Sequence, residues 1–178
     1  DVGPVIDREA FDAIQRHIQR LKSESKVLLA LENPAQAATK TIANLIGPHA
    51  FEVARIADVR YEIFGPVLQV VRWSGDPQGV IAQVNALGYG LTCGVQTRID
   101  SRANALAAAS HAGNVYINRN MIGAVVGVQP FGGEGLSGTG PKAGGPHYLY
   151  RFCAEQTVTV NTTAAGGKAA LLAGLGWC

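Results

Sequence analysis

The sequence predicts an α/β fold, built on a mostly parallel sheet with flanking helices. Between residues 67 and 118, apolar runs of strand length alternate with two helical patterns. This order is typical of right-handed βαβ crossovers, whose strands lie parallel in one sheet. The run at 67–73 (VLQVVRW) is apolar almost throughout, as expected of a strand covered on both faces. Only 16% of the 178 residues are charged, which favours one domain that buries much of its surface.

The chain begins with the pattern of an amphipathic helix. Asp7 suits an N-cap, and one helical face then carries Phe11, Ile14, Ile18 and Leu21. We expect this helix to end near 23–25 and a strand to follow at 26–31 (KVLLAL). Two further apolar runs of strand length, at 42–46 and 51–56, are separated by a Gly-Pro turn.

The central region gives the clearest helix signals. After the strand at 67–73, Asp76 and Pro77 have the residue types of an N-cap and a first helical position. The inward face of this helix is predicted to carry Val80, Ile81, Val84 and Leu87. A strand follows at 91–97, and Asp100 is expected to cap an alanine-rich helix that runs to about residue 112. A third strand is predicted at 115–118, and the alternating segment 155–161 (EQTVTVN) predicts a half-buried strand.

A glycine-dense stretch follows the βαβ unit. Gly133, Gly135 and Gly138 match the G-x-G-x-x-G fingerprint of dinucleotide-binding proteins. That motif binds phosphate only where a strand leads into the glycines and a helix opens directly after them. Further glycines and two prolines fill residues 140–146, so no helix of useful length is expected there. A shaped active-site loop and a purely structural long turn both remain open, and both are favoured over a phosphate site.

Composition bounds the partners. A formal net charge of +2, with scattered basic residues, does not predict nucleic-acid binding. No apolar run reaches about 18 residues, so no membrane span is expected. The three cysteines form no C-x-x-C pair, which fits a reducing compartment, and we expect a cytoplasmic protein. No metal site is expected, because metal-ligand spacing is absent among His17, His49, His111 and His147.

The residues alone offer no convincing nucleophile. Cys93 falls inside a predicted buried strand and is interpreted as a small core residue, while the sequence places no base beside Cys153 or Cys178. The segment 61–66 (YEIFGP) sets an acid and an aromatic two residues apart before a strand. Such a turn points both side chains into one cleft, or it holds a surface Glu62 and a core Phe64. The residues by themselves leave both interpretations open.

Several longer motifs together resemble the aldehyde dehydrogenase family. They are EIFGPV at 62–67, NALGYGLT at 85–92, NVYIN and GVQPFGG within 114–133, and LSGTGPKAGG at 136–145. The stretch 127–152, with NTTAAGG at 161–167, is most similar to the glutamate γ-semialdehyde dehydrogenase domain of bifunctional proline-utilisation proteins. The resemblance extends over residues 1–167. It implies an NAD-dependent oxidation of L-glutamate γ-semialdehyde to L-glutamate in proline degradation.

The resemblance also implies roles for single residues. Glu62 would hydrogen-bond the nicotinamide ribose, and Phe64 would pack beside the nicotinamide ring. Phe131 would form an aromatic wall around the aliphatic stem of the aldehyde. Gly123 and Ala124 would offer backbone N–H groups to the α-carboxylate of the substrate, because small residues let main-chain donors approach an anion closely. An ordinary flexible turn remains the alternative for Gly123 and Ala124.

In this family a cysteine thiolate attacks the aldehyde and a glutamate base activates water. Both groups, and the NAD-binding half, are expected before residue 1, so this chain alone should be inactive. The resemblance divides the chain into a partial catalytic domain at 1–153 and, at 154–178, an oligomerisation strand with a Gly/Ala-rich tail. The strand at 155–161 would join the sheet of a neighbouring copy and make a homo-oligomer. The alternative is a non-catalytic assembly domain from a truncated gene.

Overall fold

The structure is a computed structural model that describes residues 2–31, 43–123, 127–138, 140–161 and 164. Three α-helices are α1 (Arg8–Glu24), α2 (Pro77–Asn85) and α3 (Asp100–Ala109). The strands are β1 (Lys26–Ala30), β2 (His49–Glu52), β3 (Val67–Val70), β4 (Tyr89–Gly90), β5 (Thr92–Val95), β6 (Asn114–Ile117) and β7 (Glu134–Gly135). Short 3₁₀ helices of the described ranges occupy Ile56–Asp58 and Tyr148–Phe152.

The strands form three hydrogen-bonded groups, and the predicted α/β class is confirmed. Strand β2 lies between β1, which is antiparallel to it, and β3, which is parallel. Strands β5 and β6 pair in parallel across α3, so the second predicted βαβ unit is present. The prediction that 67–73 continues the same sheet is wrong for the described residues, because β3 pairs with β2 and not with β5. The short β4 and β7 form an antiparallel pair of their own.

Helix α1 forms as the sequence predicts. The Asp7 carboxylate accepts a hydrogen bond from the Ala10 backbone N–H at 2.8 Å, which satisfies one of the free donors of the first turn. Ile14, Ile18 and Leu21 are buried, and they form the main core with residues of the β2 region such as Phe51. Burying an apolar side chain of this size contributes about 1.5–3 kcal/mol, so this face of α1 holds the helix against the sheet of β1–β3.

Helices α2 and α3 differ from the prediction in their details. Asp76 caps α2 by accepting from the Gln78 backbone N–H at 3.1 Å, as expected. The N-cap of α3 is Ile99, without a side-chain hydrogen bond, and Asp100 is already the first helical residue. Helix α3 ends at Ala109, before the predicted residue 112, because Ser110 turns to an extended conformation. Of the four side chains predicted to point inward from α2, only Ile81 is buried.

Two predicted strands are not strands where the structure describes them. Within the run 42–46, residues 43–44 form a turn, Asn44 has a φ of 60°, and Ile46 is a core residue in a loop. Residue 42 lies outside the described residues. Within the predicted strand 155–161, residues 155–160 pair with no other described strand, and their side chains are exposed rather than half-buried. A strand needs a neighbouring strand to complete its hydrogen bonds, and the described part of the chain offers none here.

Candidate functional site

The turn at 61–65 lies against helix α1 and borders a cavity of about 400 Å³. Glu62 and Phe64 both line this cavity, together with residues of α1 that include Arg16 and Arg20. The Glu62 side chain is exposed, and Phe64 is 80% exposed. The interpretation of Phe64 as a core residue is therefore wrong for the described chain. The turn presents an acid and an aromatic ring together at one surface.

The main core positions this turn. Ile63, which lies between Glu62 and Phe64, packs against the core cluster that contains Ile14 and Phe51. This packing holds the turn in place on the core. Gly65 approaches α1 so closely that an added Cβ would lie 2.6 Å from Ile14 Cδ1. Only glycine fits this approach without a shift of the core.

A buried histidine lies beneath the start of the turn. His17, on the apolar face of α1, is only 2% exposed, and its Nδ1 lies 3.4 Å from the Tyr61 hydroxyl. The two rings meet edge to face, with their centroids 5.4 Å apart. Burial, and then the positive charge of Arg20, lower the pKa of His17 below its ordinary value. The imidazole is therefore held neutral next to the residue that precedes Glu62.

The carboxyl end of β6 leads into the second candidate region. Asn118, with a φ of 54°, ties this end to the β5 side: its amide donates to the Thr97 carbonyl, and its Oδ1 accepts from the Thr97 N–H, each at 2.9 Å. Tyr116 is buried, and its hydroxyl donates to the Gly123 carbonyl at 3.3 Å. Gly123 has a φ of 56°, a conformation that favours glycine. Ala124 lies outside the described residues.

Phe131 is held by backbone pairing. Its N–H donates to the Ala143 carbonyl, and its carbonyl accepts from the Ala143 N–H, each at 3.0 Å. The next carbonyl, that of Gly132, accepts from the Asn114 side chain at 2.9 Å. The Phe131 ring is partly buried, so one part of it remains available to a ligand. The loop that carries Phe131 is thereby fastened to β6.

The glycines that match the dinucleotide fingerprint pack against backbone. Gly133 is buried, and an added Cβ would lie 2.5 Å from the Ser137 carbonyl oxygen. At Gly138 an added Cβ would collide with the Gly133 carbonyl oxygen. No described residue between 136 and 147 is helical, so the prediction that no helix opens after these glycines is confirmed. These glycines permit close packing of a turn.

The structure brings the predicted residues together as two separate pairs. Glu62 and Phe64 share the cavity beside α1, whereas Gly123 and Phe131 are attached to β6. Sequence reasoning missed His17 and Tyr116 as supports of these pairs. A signal for His17 was present, because it follows Ile14 by three residues and precedes Leu21 by four on the apolar face.

The two described cysteines differ in their surroundings. Cys93 is partly buried and packs against the second core cluster, as the sequence predicts. Cys153 is exposed, and its Sγ donates to the Leu149 carbonyl at 3.4 Å. Among the described residues, no cluster of three or more His, Cys, Asp or Glu could hold a metal ion, and no helix has the length and apolarity to cross a membrane.

Comparison with known proteins gives one consistent family. The model of the family described as "Aldehyde dehydrogenase family" matches residues 1–158. The chain is 50% identical to the bifunctional protein PutA of Salmonella typhimurium over 167 residues, which are 92% of this chain and 13% of that protein. It is 36% identical to 1-pyrroline-5-carboxylate dehydrogenase 1 of Halalkalibacterium halodurans over 161 residues, 89% of this chain and 30% of that protein. The chain thus spans less than a third of these relatives.

Solved structures agree. A crystal structure of a Bradyrhizobium japonicum Proline Utilization A (PutA) variant superposes with a TM-score of 0.78 at 50% identity, covering 91% of this chain and 16% of that chain. The 1-pyrroline-5-carboxylate dehydrogenase from Thermus with bound NAD superposes with a TM-score of 0.72 at 35% identity, covering 84% of this chain and 28% of that chain. At these identities the likeness covers both fold and sequence.

Proposed function

The chain belongs to the aldehyde dehydrogenase family, and from this we propose that it supplies the cofactor-positioning turn and the substrate loop of an NAD-dependent dehydrogenase. The proposed reaction oxidises L-glutamate γ-semialdehyde to L-glutamate in proline degradation. The identities to PutA and to 1-pyrroline-5-carboxylate dehydrogenase support this substrate. The observation that carries the proposal is the turn that displays Glu62 and Phe64 side by side over a cavity.

The exposed turn fits the nicotinamide half of NAD. The Glu62 carboxylate can accept hydrogen bonds from two ribose hydroxyls, and such charge-assisted bonds are stronger than neutral ones. The exposed face of Phe64 can pack beside a planar ring. When bound, NAD supplies the hydride acceptor of the reaction. The protein contributes orientation, because hydride transfer depends on a closely held geometry.

The second pair fits the substrate. We assign Gly123 and Ala124 to the α-carboxylate, through their backbone N–H groups, and Phe131 to the aliphatic stem. The positive φ of Gly123 and its tie to Tyr116 support a loop of fixed shape, rather than the flexible turn that was the alternative. Phe131 is supported by its partial exposure and by its pairing with Ala143.

A second role, assembly with another copy of the chain, is favoured by the segment 155–161. Val158 and Val160 are 74% and 70% exposed, on a stretch of alternating sequence that pairs with no other described strand. A segment with this alternating pattern can add as a strand to the edge of a neighbour's sheet. We therefore keep the division into a catalytic part at 1–153 and an assembly part at 154–178 as a proposal.

The cofactor role is tested by kinetics in the full-length protein that contains this chain. Replacing Glu62→Gln removes the charge from the hydrogen bonds to ribose and should lower kcat/KM for NAD about tenfold or more. Phe64→Ala should lower the same quantity, while Leu68→Ala, an exposed apolar residue of β3, serves as the control. Wild-type kinetics with NAD in both Glu62→Gln and Phe64→Ala would refute the proposal.

The assembly role needs a different measurement. The purified 178-residue chain is expected to produce no NADH from the semialdehyde, because Cys93 packs against the second core cluster and the Cys153 thiol donates to the Leu149 carbonyl. In the full-length protein, Val158→Asp with Val160→Asp should lower the molar mass in solution. An unchanged molar mass would refute assembly through 155–161 and would leave the catalytic proposal standing.

A further inference from the structure

His17 is an unusual residue for its position. It is 2% exposed among the apolar side chains of α1, and its Nε2 has no hydrogen-bond partner among the described residues. A buried polar atom without a partner destabilises the folded chain. An apolar side chain of similar size would therefore serve the core at least as well. The imidazole requires an explanation other than stability, and its Nδ1 contacts provide one.

The hydrogen-bond donors around His17 determine its tautomer. Arg20 Nη2 lies 3.4 Å from Nδ1, and a guanidinium has only donors. Nδ1 therefore accepts, the ring proton is assigned to Nε2, and the Tyr61 hydroxyl donates to the same Nδ1 at 3.4 Å. The lowered pKa of His17 agrees with a neutral ring that keeps this acceptor. Both bonds are long, and the edge-to-face contact of the rings supplements them.

Helix α1 holds the turn at both ends. At the first end His17 contacts Tyr61, the residue directly before Glu62. At the other end Gly65 approaches Ile14, one helical turn from His17. The backbone of the turn is closed by the Gly65 N–H, which donates to the Ile63 carbonyl at 2.9 Å. The exposed side chains of Glu62 and Phe64 thus project from a segment that contacts α1 at both of its ends.

We propose that His17 is a positioning residue that acts through Tyr61 to orient the turn carrying Glu62 and Phe64 for the nicotinamide half of NAD. This inference rests on the cofactor role proposed above. It means that a side chain of the core, His17, changes the affinity of the protein for NAD, an effect we call the coupling. The coupling predicts that loss of the imidazole weakens NAD binding specifically and leaves the aldehyde side of the site unchanged, because that side is attached to β6.

The test uses His17→Leu and Tyr61→Phe in the full-length protein. Each variant removes one partner of the His17–Tyr61 bond, and Tyr61→Phe affects a half-exposed ring, so it should fold even if the core variant does not. Each should raise KM for NAD roughly threefold or more, with KM for the semialdehyde within about twofold of wild type. The double variant should be no worse than the poorer single variant, because both lose the same link.

Two controls separate positioning from stability. Leu21→Val removes volume from the same buried face of α1, so it should lower the melting temperature without changing KM for NAD. His17→Gln offers an amide oxygen as acceptor and should recover part of the NAD affinity that His17→Leu loses. Fluorescence titration with NADH gives the same comparison without turnover.

The outcomes distinguish this inference from the proposed function. If Glu62→Gln raises KM for NAD and the two variants of the His17–Tyr61 link do not, the coupling is refuted and the cofactor role stands. If Glu62→Gln leaves KM for NAD unchanged, the cofactor role fails and the inference fails with it. His17→Leu and Leu21→Val are compared at matched melting temperatures. If both variants raise KM for NAD and KM for the semialdehyde equally, the role of His17 is purely structural and the coupling is refuted.

Discussion

The two units of the molecule position their loops by different means. The first unit, α1 with β1–β3, has a core of tightly buried apolar side chains in which Phe51 is 0% exposed. The second unit, α2 and α3 with β4–β7, has a smaller described cluster, formed by Ile81, Val95 and Leu106. In the first unit the exposed turn lies on side-chain packing, through Ile63 and Gly65.

The second unit relies on polar side chains that bind backbone groups. Asn85 donates to the Ala109 carbonyl at 2.8 Å and accepts from the His111 N–H at 3.0 Å. Asn114 donates to the carbonyls of Leu91 and Gly132, both at 2.9 Å. A unit rich in alanine and glycine has little side-chain volume to pack, so directional hydrogen bonds fix its loops instead. Changes in volume should therefore harm the first unit, and loss of single polar groups should harm the second.

The largest effect is expected from Phe51→Ala. Removing a fully buried ring should lower the free energy of unfolding by about 3–5 kcal/mol, from lost burial and the cavity left behind. Urea unfolding of the chain, followed by circular dichroism, measures this change. The matched control is Leu68→Ala, on the same sheet but 61% exposed, which should change stability by less than about 0.5 kcal/mol. Similar losses in both would show that the first unit has no specific core.

Asn114→Ala tests whether side-chain hydrogen bonds to backbone groups stabilise the second unit. The change leaves the Gly132 carbonyl without its donor, while the Leu91 carbonyl keeps the backbone N–H of residue 114 at 3.1 Å, and it should cost about 1–3 kcal/mol of unfolding free energy in the same assay. Gln83→Ala, an exposed polar residue of α2, is the control. A loss below about 0.5 kcal/mol at Asn114 would mean that hydrogen bonds do not hold this unit, and the contrast between the units would disappear.

Gly123→Ala tests the shape of the substrate loop. An added Cβ meets no atom of the described residues within 4 Å, so its main effect is strain at a φ of 56°. That strain costs about 1–2 kcal/mol and should displace the loop. In the full-length protein, KM for the semialdehyde should rise severalfold, while KM for aldehydes without a carboxylate stays near wild type. Equal rises for both kinds of aldehyde would contradict the carboxylate role of Gly123.

The smallest effect is a pH dependence that arises at His17. Its pKa is lowered by burial and by Arg20, so the folded chain binds this proton less well than the unfolded chain. The stabilising contribution is therefore complete above the unfolded pKa of about 6.5 and is lost as pH falls below it. Protonation would place a positively charged imidazole next to the Arg20 guanidinium, which itself pairs with Glu24. The same imidazole borders the cavity that Tyr61 and Glu62 line.

Unfolding of wild type and His17→Leu between pH 7.5 and 5 measures this effect. The wild-type chain should lose stability more steeply than His17→Leu over this range, because the other histidines titrate equally in both. Parallel profiles would show that burial does not perturb His17.

How far the sequence predicts the site differs between the two regions. The apolar spacing and the cap residue were sufficient for α1, because a long amphipathic pattern has one solution. The motif around Glu62 indicated a turn, but only the packed structure shows that Ile63 faces the core and Phe64 does not. His17, which supports the first loop, lies 44 residues before its contact Tyr61. Tyr116, which supports the second loop, lies seven residues before its contact Gly123. Only the shorter of these two links is local.

The sequence by itself determined the α/β class, the bounds of α1, the β5–α3–β6 unit and, as far as the structure describes residues 136–147, the absence of a helix after the fingerprint glycines. These features depend on local propensity and periodicity, which are properties of residues close together in the sequence. The tertiary structure alone decided that β3 pairs with β2, that the loop at 43–46 is a turn with one core residue, and that His17 meets Tyr61. Such features depend on contacts between distant segments, and many pairings satisfy the same local pattern until packing selects one.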